Sequence, residues 1–173
     1  ALAAERKLTA PLKAAADLVL DTSDLSLPEL RRLLSARFGA ERPGLAISVL
    51  SFAFRNGLPR EADLVLDVRF LRNPHYVPAL RPGTGLDPAV RAFVGDDPAL
   101  EPFVADLQRL LSPLLPRYQG EGKSYLTIAF GCTGGRHRSV FLAELIGAWL
   151  RDTGWEAAIV HRDLDRPAAR QGA

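Results

Sequence analysis

The chain has 173 residues, 47% of them apolar and 24% charged, with a formal net charge of +2. This composition suits a folded domain with a sizeable core and excludes a disordered or collagen-like chain. No run approaches the roughly 18 uninterrupted apolar residues of a membrane span, and a pI near 9.0 neither demands nor excludes a nucleic-acid partner.

Residues 1–16 read as the end of a helix, and Asp17–Asp21 as a short buried strand. Ser26 and Glu29 have capping-box spacing with Pro28 in the first turn, which predicts a helix from about Leu27 to Phe38, stopped by Gly39. Arg37–Gly44 reads as a linker. Strong strands are expected at Leu45–Phe52 and Ala62–Phe70, with a loop at Phe54–Pro59 between them. Residues 71–88 lack periodicity and read as an irregular loop of the kind that often carries function. Helices are expected at Pro88–Val94 and Pro102–Leu115, a turn at Gln119–Lys123, and a third strand at Tyr125–Phe130. A helix over Val140–Arg151, a strand over Trp155–His161 and a disordered tail over 162–173 complete the chain. Strands alternating with helices predict an α/β fold, a mainly parallel central sheet flanked by helices. The chain contains no methionine and opens in a helix-like run, which reads as a piece of a longer protein. The first residues do not read as a secretory leader. One cysteine excludes an intrachain disulfide and fits a cytoplasmic setting.

The most informative run is Gly131-Cys132-Thr133-Gly134-Gly135-Arg136-His137-Arg138-Ser139. A Gly-rich turn between a strand and a helix start gathers backbone N–H groups where the helix dipole is positive. The two arginines and the histidine add cationic donors suited to phosphate. Three readings stand open. One is a phosphate site without chemistry. A second is a cysteine-dependent phosphatase, because Cys132, five residues, Arg138 and Ser139 give the Cys-x5-Arg-Ser order of a low-pKa thiolate nucleophile and its arginine clamp. There Gly131 stands where that pattern usually has histidine. The third is a turn that serves only close strand–helix packing. Gly120-Glu121-Gly122-Lys123-Ser124 lacks the spacing of a nucleotide P-loop and precedes a strand, so it is rejected.

Asp67, Arg69, Asn73 and His75 form a second cluster at a strand end and in the loop beyond. Ligands of open α/β sheets sit outside the carboxyl ends of the strands, so both clusters are placed to share a pocket. An aspartate there suits sugar hydroxyls or an ammonium, and His75 and Arg69 suit a phosphate. The alternative is local: Asp67 caps a turn, Arg69 pairs with it and His75 packs in the loop. His161 and Arg162 either join the site or open the tail. Three histidines and one cysteine without ligand spacing give no metal site.

Ser51–Gly57, Asp63–His75, Arg81–Asp87 and Gly131–Ser139 together resemble the RapZ/YvcJ family, in order and spacing, over about residues 45–165. Residues 1–40, with Asp21-Thr22-Ser23, resemble the end of that family's N-terminal P-loop kinase-like domain, whose Walker motif would lie upstream. Residues 166–173 are read as a flexible tail. The resemblance implies a regulatory domain with no cofactor of its own, in a protein whose other domain binds ATP or GTP and hydrolyses it weakly. It implies sensing of glucosamine-6-phosphate, coupled to a small RNA and RNase E or to another regulatory protein, in a homo-oligomer. By motif match, Cys132, Thr133, Gly134, Gly135, His137 and Arg138 hold the phosphate, and Asp67, Arg69, Asn73 and His75 complete the pocket. RNA-binding members end in a lysine-rich segment. Here the candidate RNA contacts are Arg162, Arg166 and Arg170, with Asp163 and Asp165 among them, which thins the cation density on which phosphate-backbone affinity depends.

Overall fold

The computed structural model describes residues 44–164 continuously, and before them only scattered positions. The chain divides into two units, Ala1–Arg42 and Pro43–Ala173. In the first unit, Val19, Leu20 and Asp21 lie in no strand. Val19 is half exposed, and the Asp21 carboxylate accepts from the N–H and hydroxyl of Ser23, which turns the chain. The expected capping residues Ser26, Pro28 and Glu29 lie outside the described residues, as do residues 1–10 and 165–173.

The second unit is built from strands β1 (Ala46–Ala53), β2 (Leu64–Asp67), β3 (Tyr125–Cys132) and β4 (Ala157–His161). Its helices are α1 (Pro88–Gly95), α2 (Leu100–Gly120) and α3 (Arg138–Asp152). The strands form one sheet in the order β2-β3-β1-β4, and every pairing is parallel. The α/β expectation therefore holds. In a parallel sheet all the carboxyl ends lie along one edge, so Ala53, Asp67, Cys132 and His161 end their strands on the same side.

Period-2 alternation divides the strands between two faces. Ile47, Val49, Leu126, Ile128 and Phe130 point to the main core, where Leu142, Ile146 and Leu150 of α3 meet them together with Leu107, Leu111 and Leu115 of α2. Leu50, Phe52 and Ala129 form a smaller cluster, against which Phe54 and Ala62 pack. Among the described residues no helix is long and apolar enough to cross a membrane.

Three elements differ from expectation. β2 spans four residues instead of nine. Its last ladder bond runs from Val68 N–H to the Gly131 carbonyl, after which the Asp67 carboxylate accepts the Arg69 N–H and bends the chain. α2 runs five residues past its expected end, through Pro113 and Pro116. The Leu107–Leu111–Leu115 stripe is buried at i, i+4 spacing, and that burial outweighs the lost helical bonds. The Ser112 hydroxyl also donates to the Gln108 carbonyl. At the end, Arg162–Leu164 form a turn with Asp163 buried, so the expected disorder does not begin at 162.

The segment after the loop at residues 71–80 is fastened to the start of α3. Gly85 N–H donates to the Arg136 carbonyl at 2.9 Å. A Cβ at Gly85 would lie 2.3 Å from the His137 carbonyl oxygen and 2.4 Å from the Phe141 nitrogen. Both obstacles are backbone, so they cannot swing aside. Gly85→Ala is expected to lower the unfolding free energy by roughly 1–3 kcal/mol, the usual range for overpacking. A urea midpoint equal to that of the parent chain would contradict this close approach.

Candidate functional site: the loop between β3 and α3

β3 delivers Cys132 to the sheet edge, and α3 starts six residues later at Arg138. The turn between them depends on Gly135, which has φ +64 and whose absent Cβ would sit 2.8 Å from the Ala53 nitrogen. Gly134 has open space where its Cβ would be. The first glycine is therefore not demanded by packing, whereas the second is. Thr133 at the loop's tip is exposed.

No side chain caps the start of α3. The sulfur of Cys132 takes that place. It lies 3.1 Å from the Ser139 hydroxyl and also accepts from the backbone N–H groups of Ser139 and Arg136. Burial pushes the thiol up, but these donors and the Arg138 charge outweigh it, so the thiol titrates below its ordinary range. Helix N–H groups thus converge on a position that favours negative charge.

Arg138 is 5% exposed. One of its terminal nitrogens donates to the carbonyls of Arg69 and Leu71 at 2.8 and 3.0 Å. Its Nε is buried and has no partner. Among the described residues no carboxylate forms an ion pair with it. A buried cation without a counter-ion is costly, and here the nearby anion-favouring groups are the Cys132 sulfur and the loop amides.

Asp67 stands beside Gly131 in the β2–β3 register, so the second cluster meets the loop. Its carboxylate grips Arg69 with contacts of 2.6–3.0 Å. The Arg69 hydrogen bonds hold that carboxyl below its usual range, and the Arg138 charge adds to the effect. The Arg69 guanidinium also lies 4.3 Å from the centre of the Phe54 ring. Both Asp67 and Arg69 are about half exposed and open to a ligand.

The other expected residues are bonded within the fold. Asn73 accepts from the His75 N–H and caps a one-turn 3-10 helix. The His75 carbonyl accepts from Arg81. His137 Nε2 lies 3.2 Å from the Arg81 carbonyl, and burial lowers its pKa. Arg136 donates to the carbonyls of Pro82 and Gly83. These last two side chains knit residues 81–83 to the loop. Arg162 donates to the Gly57 carbonyl and pairs with Asp163, which in turn accepts the Ala53 N–H. Arg162 is thereby committed within the fold, whereas Arg166 and Arg170 lie outside the described residues.

Sequence reasoning did not single out Ser139 as a partner of the sulfur, nor the carbonyls that hold Arg138. Only the Cys-x5-Arg-Ser order signalled the former. It also missed a relay in which His161 reaches Ser51 at 2.9 Å and Glu144 at 3.1 Å. Ser51 lies in β1, paired on both sides by β3 and β4, with no exposed surface. The relay clamps β4 to β1 and α3.

A groove of about 580 Å3 lies at the opposite end of the sheet, beside Leu45, Trp149, Trp155 and Glu156. No cation lines it. Arg138, without an ion pair among the described residues, and the start of α3 lie at the Cys132 end instead.

The family described as the RapZ C-terminal domain matches residues 45–165. A nucleotide-binding protein of Rhodospirillum centenum is 58% identical over 166 residues, 95% of this chain and 50% of that protein. One of Rhodospirillum rubrum is 60% identical over 164 residues, 94% of this chain and 51% of that protein. A third, of Paramagnetospirillum magneticum, is 58% identical over 162 residues, 93% of this chain and 53% of its own length. The chain spans about half the length of the curated relatives it matches. With its strand ends, its glycine turn and its loop all inside the matched region, this chain belongs to the RapZ C-terminal domain family.

Proposed function

We propose that this domain binds a phosphorylated sugar, an amino sugar such as glucosamine-6-phosphate, and passes its occupancy to a small-RNA or protein partner. The observation that carries the reading is the buried Arg138, whose Nε has no partner and whose charge acts on the loop's Cys132 sulfur. A phosphate supplies the missing counter-ion and accepts both kinds of donor. Asp67, half exposed and ionised next to the loop, suits the ammonium or a hydroxyl of the sugar. In the whole protein a further domain binds ATP or GTP; the relatives are named nucleotide-binding proteins, and the domain and its nucleotide rest on the family resemblance. RNase E, a homo-oligomeric assembly and a cytoplasmic setting belong to the same reading and rest on the family resemblance.

A signal passes through the residues that already join the loop to its surroundings. Arg136, His137 and Gly85 tie the loop to residues 81–85. Gly135 and Asp163 tie it to the end of β1 and to the turn after β4. Any phosphate-induced shift of the loop is felt at both places.

Isothermal calorimetry tests the ligand. Glucosamine-6-phosphate is expected to bind, and glucosamine is not. Arg138→Lys is expected to weaken binding at least about tenfold, since a charge-assisted bond contributes roughly 1.5–3 kcal/mol and lysine lacks the planar fork. The absence of heat with glucosamine-6-phosphate, glucose-6-phosphate and inorganic phosphate on a folded sample would remove the reading. Asp67→Asn is expected to weaken glucosamine-6-phosphate more than glucose-6-phosphate; equal losses would detach Asp67 from the amine.

For RNA, the committed bonds of Arg162 make a prediction of their own. Arg166→Gln with Arg170→Gln is expected to flatten the salt dependence of RNA binding by about one unit per lost phosphate contact. Arg162→Gln should lower the melting temperature instead. A salt slope that responds to Arg162 alone would reverse this assignment.

A further inference from the structure

We propose that Cys132 is a phosphoryl-accepting nucleophile, so that the loop hydrolyses phosphate monoesters whose leaving groups need no proton, aryl phosphates above all, while it holds sugar phosphates intact. The inference rests on the reading that a phosphate occupies this loop, and adds chemistry to it. Two observations carry it. The first is the sulfur's setting: the Ser139 hydroxyl lies 3.1 Å away and the N–H groups of Ser139 and Arg136 donate to it, at the start of a 15-residue helix. The second is Arg138, nine-tenths buried or more, whose charge acts on that sulfur and whose Nε has no partner. Its hydrogen bonds to Arg69 and Leu71 all use one terminal nitrogen. That anchoring leaves the Nε edge for two equatorial oxygens of a transferring phosphoryl group.

The chemistry is limited on its acid side. Asp67 is ionised and locked to Arg69. His137 turns Nε2 to the Arg81 carbonyl and is held neutral by burial. Neither has a proton to give to a departing alkoxide, and an alkyl ester such as a sugar phosphate cannot leave readily without one. An aryloxide can. The sulfur forms an S–P bond as the P–O bond to the aryl group breaks, and the aryloxide departs with the electron pair. Water then attacks phosphorus, the S–P bond breaks, the thiolate returns to the Ser139 donors, and the water's proton passes to solvent with inorganic phosphate. A domain with this balance retains the sugar phosphate that it senses.

The test is turnover of p-nitrophenyl phosphate by the 173-residue chain, with Cys132→Ser and Ser139→Ala alongside. The parent is expected to release p-nitrophenolate, and Cys132→Ser to be roughly 100-fold slower or worse. Ser139→Ala keeps the nucleophile and slows breakdown of the phosphocysteine. Acid-quenched Ser139→Ala is therefore expected to carry one phosphoryl group on Cys132 by mass spectrometry, even if Cys132→Ser fails to fold. Glucosamine-6-phosphate is expected to inhibit competitively without releasing phosphate. Turnover indifferent to Cys132→Ser overturns the proposal, as does release of phosphate from glucosamine-6-phosphate at a comparable rate. No turnover and no phosphocysteine, with calorimetric binding of glucosamine-6-phosphate intact, overturns the chemistry and leaves the binding reading standing. Loss of both removes both.

Discussion

A buried guanidinium that no carboxylate among the described residues pairs with is the constraint around which the site is arranged. Arg138 is held at the start of α3 by two backbone carbonyls, which are dipoles and not charges. Desolvating a cation on those terms is unfavourable unless an anion completes the site. The surrounding groups share that preference. The helix start has no side-chain cap, and the sole cysteine is pushed toward its thiolate. One anion answers all of these demands.

The parallel sheet makes this arrangement possible. Parallel register brings the ends of β1, β2 and β3 to one edge, with Ala53 opposite Cys132 and Asp67 opposite Gly131. The crossovers after β2 and β3 return the chain over the core face, and the one after β1 passes the smaller cluster with Phe54 and Ala62, so the loops that leave the strands collect above that edge. Much of the polar chemistry there fastens loops to one another. Arg136 and His137 hold residues 81–83, Arg162 and Asp163 hold the end of β1, and Asn73 shapes its own turn. Phosphate-suited side chains spent in this way stiffen the loops, and leave the Nε of Arg138 without a partner and Arg69 half exposed.

How much of this was legible in the sequence follows from how local each feature is. The loop could be read because Cys132, Gly135, Arg138 and Ser139 lie within eight residues and their spacing carries the chemistry. The α/β class could be read because apolar strand runs alternate with helical ones. The length of β2 could not, since Asp67 bends the chain with its own side chain inside an otherwise strand-like run. The length of α2 was hidden by Pro113 and Pro116, whose local cost is overridden by a leucine stripe that only tertiary packing rewards. Least legible was the allocation of cations. Nothing in the spacing tells that Arg136 bonds carbonyls 53 and 54 residues away, whereas Arg138 keeps one nitrogen unpartnered.

The central claim is that an anion rests on the amides of this loop beside Arg138. The most direct measurement is a two-dimensional 1H–15N NMR titration with glucosamine-6-phosphate that follows the backbone amides and the arginine side-chain Nε–H signals together. The account predicts that the largest shifts fall on Thr133, Gly134, Gly135 and the Nε–H of Arg138. Shifts gathered instead around Trp149 and Trp155 at the far end of the sheet, with Arg138 unmoved, would contradict it.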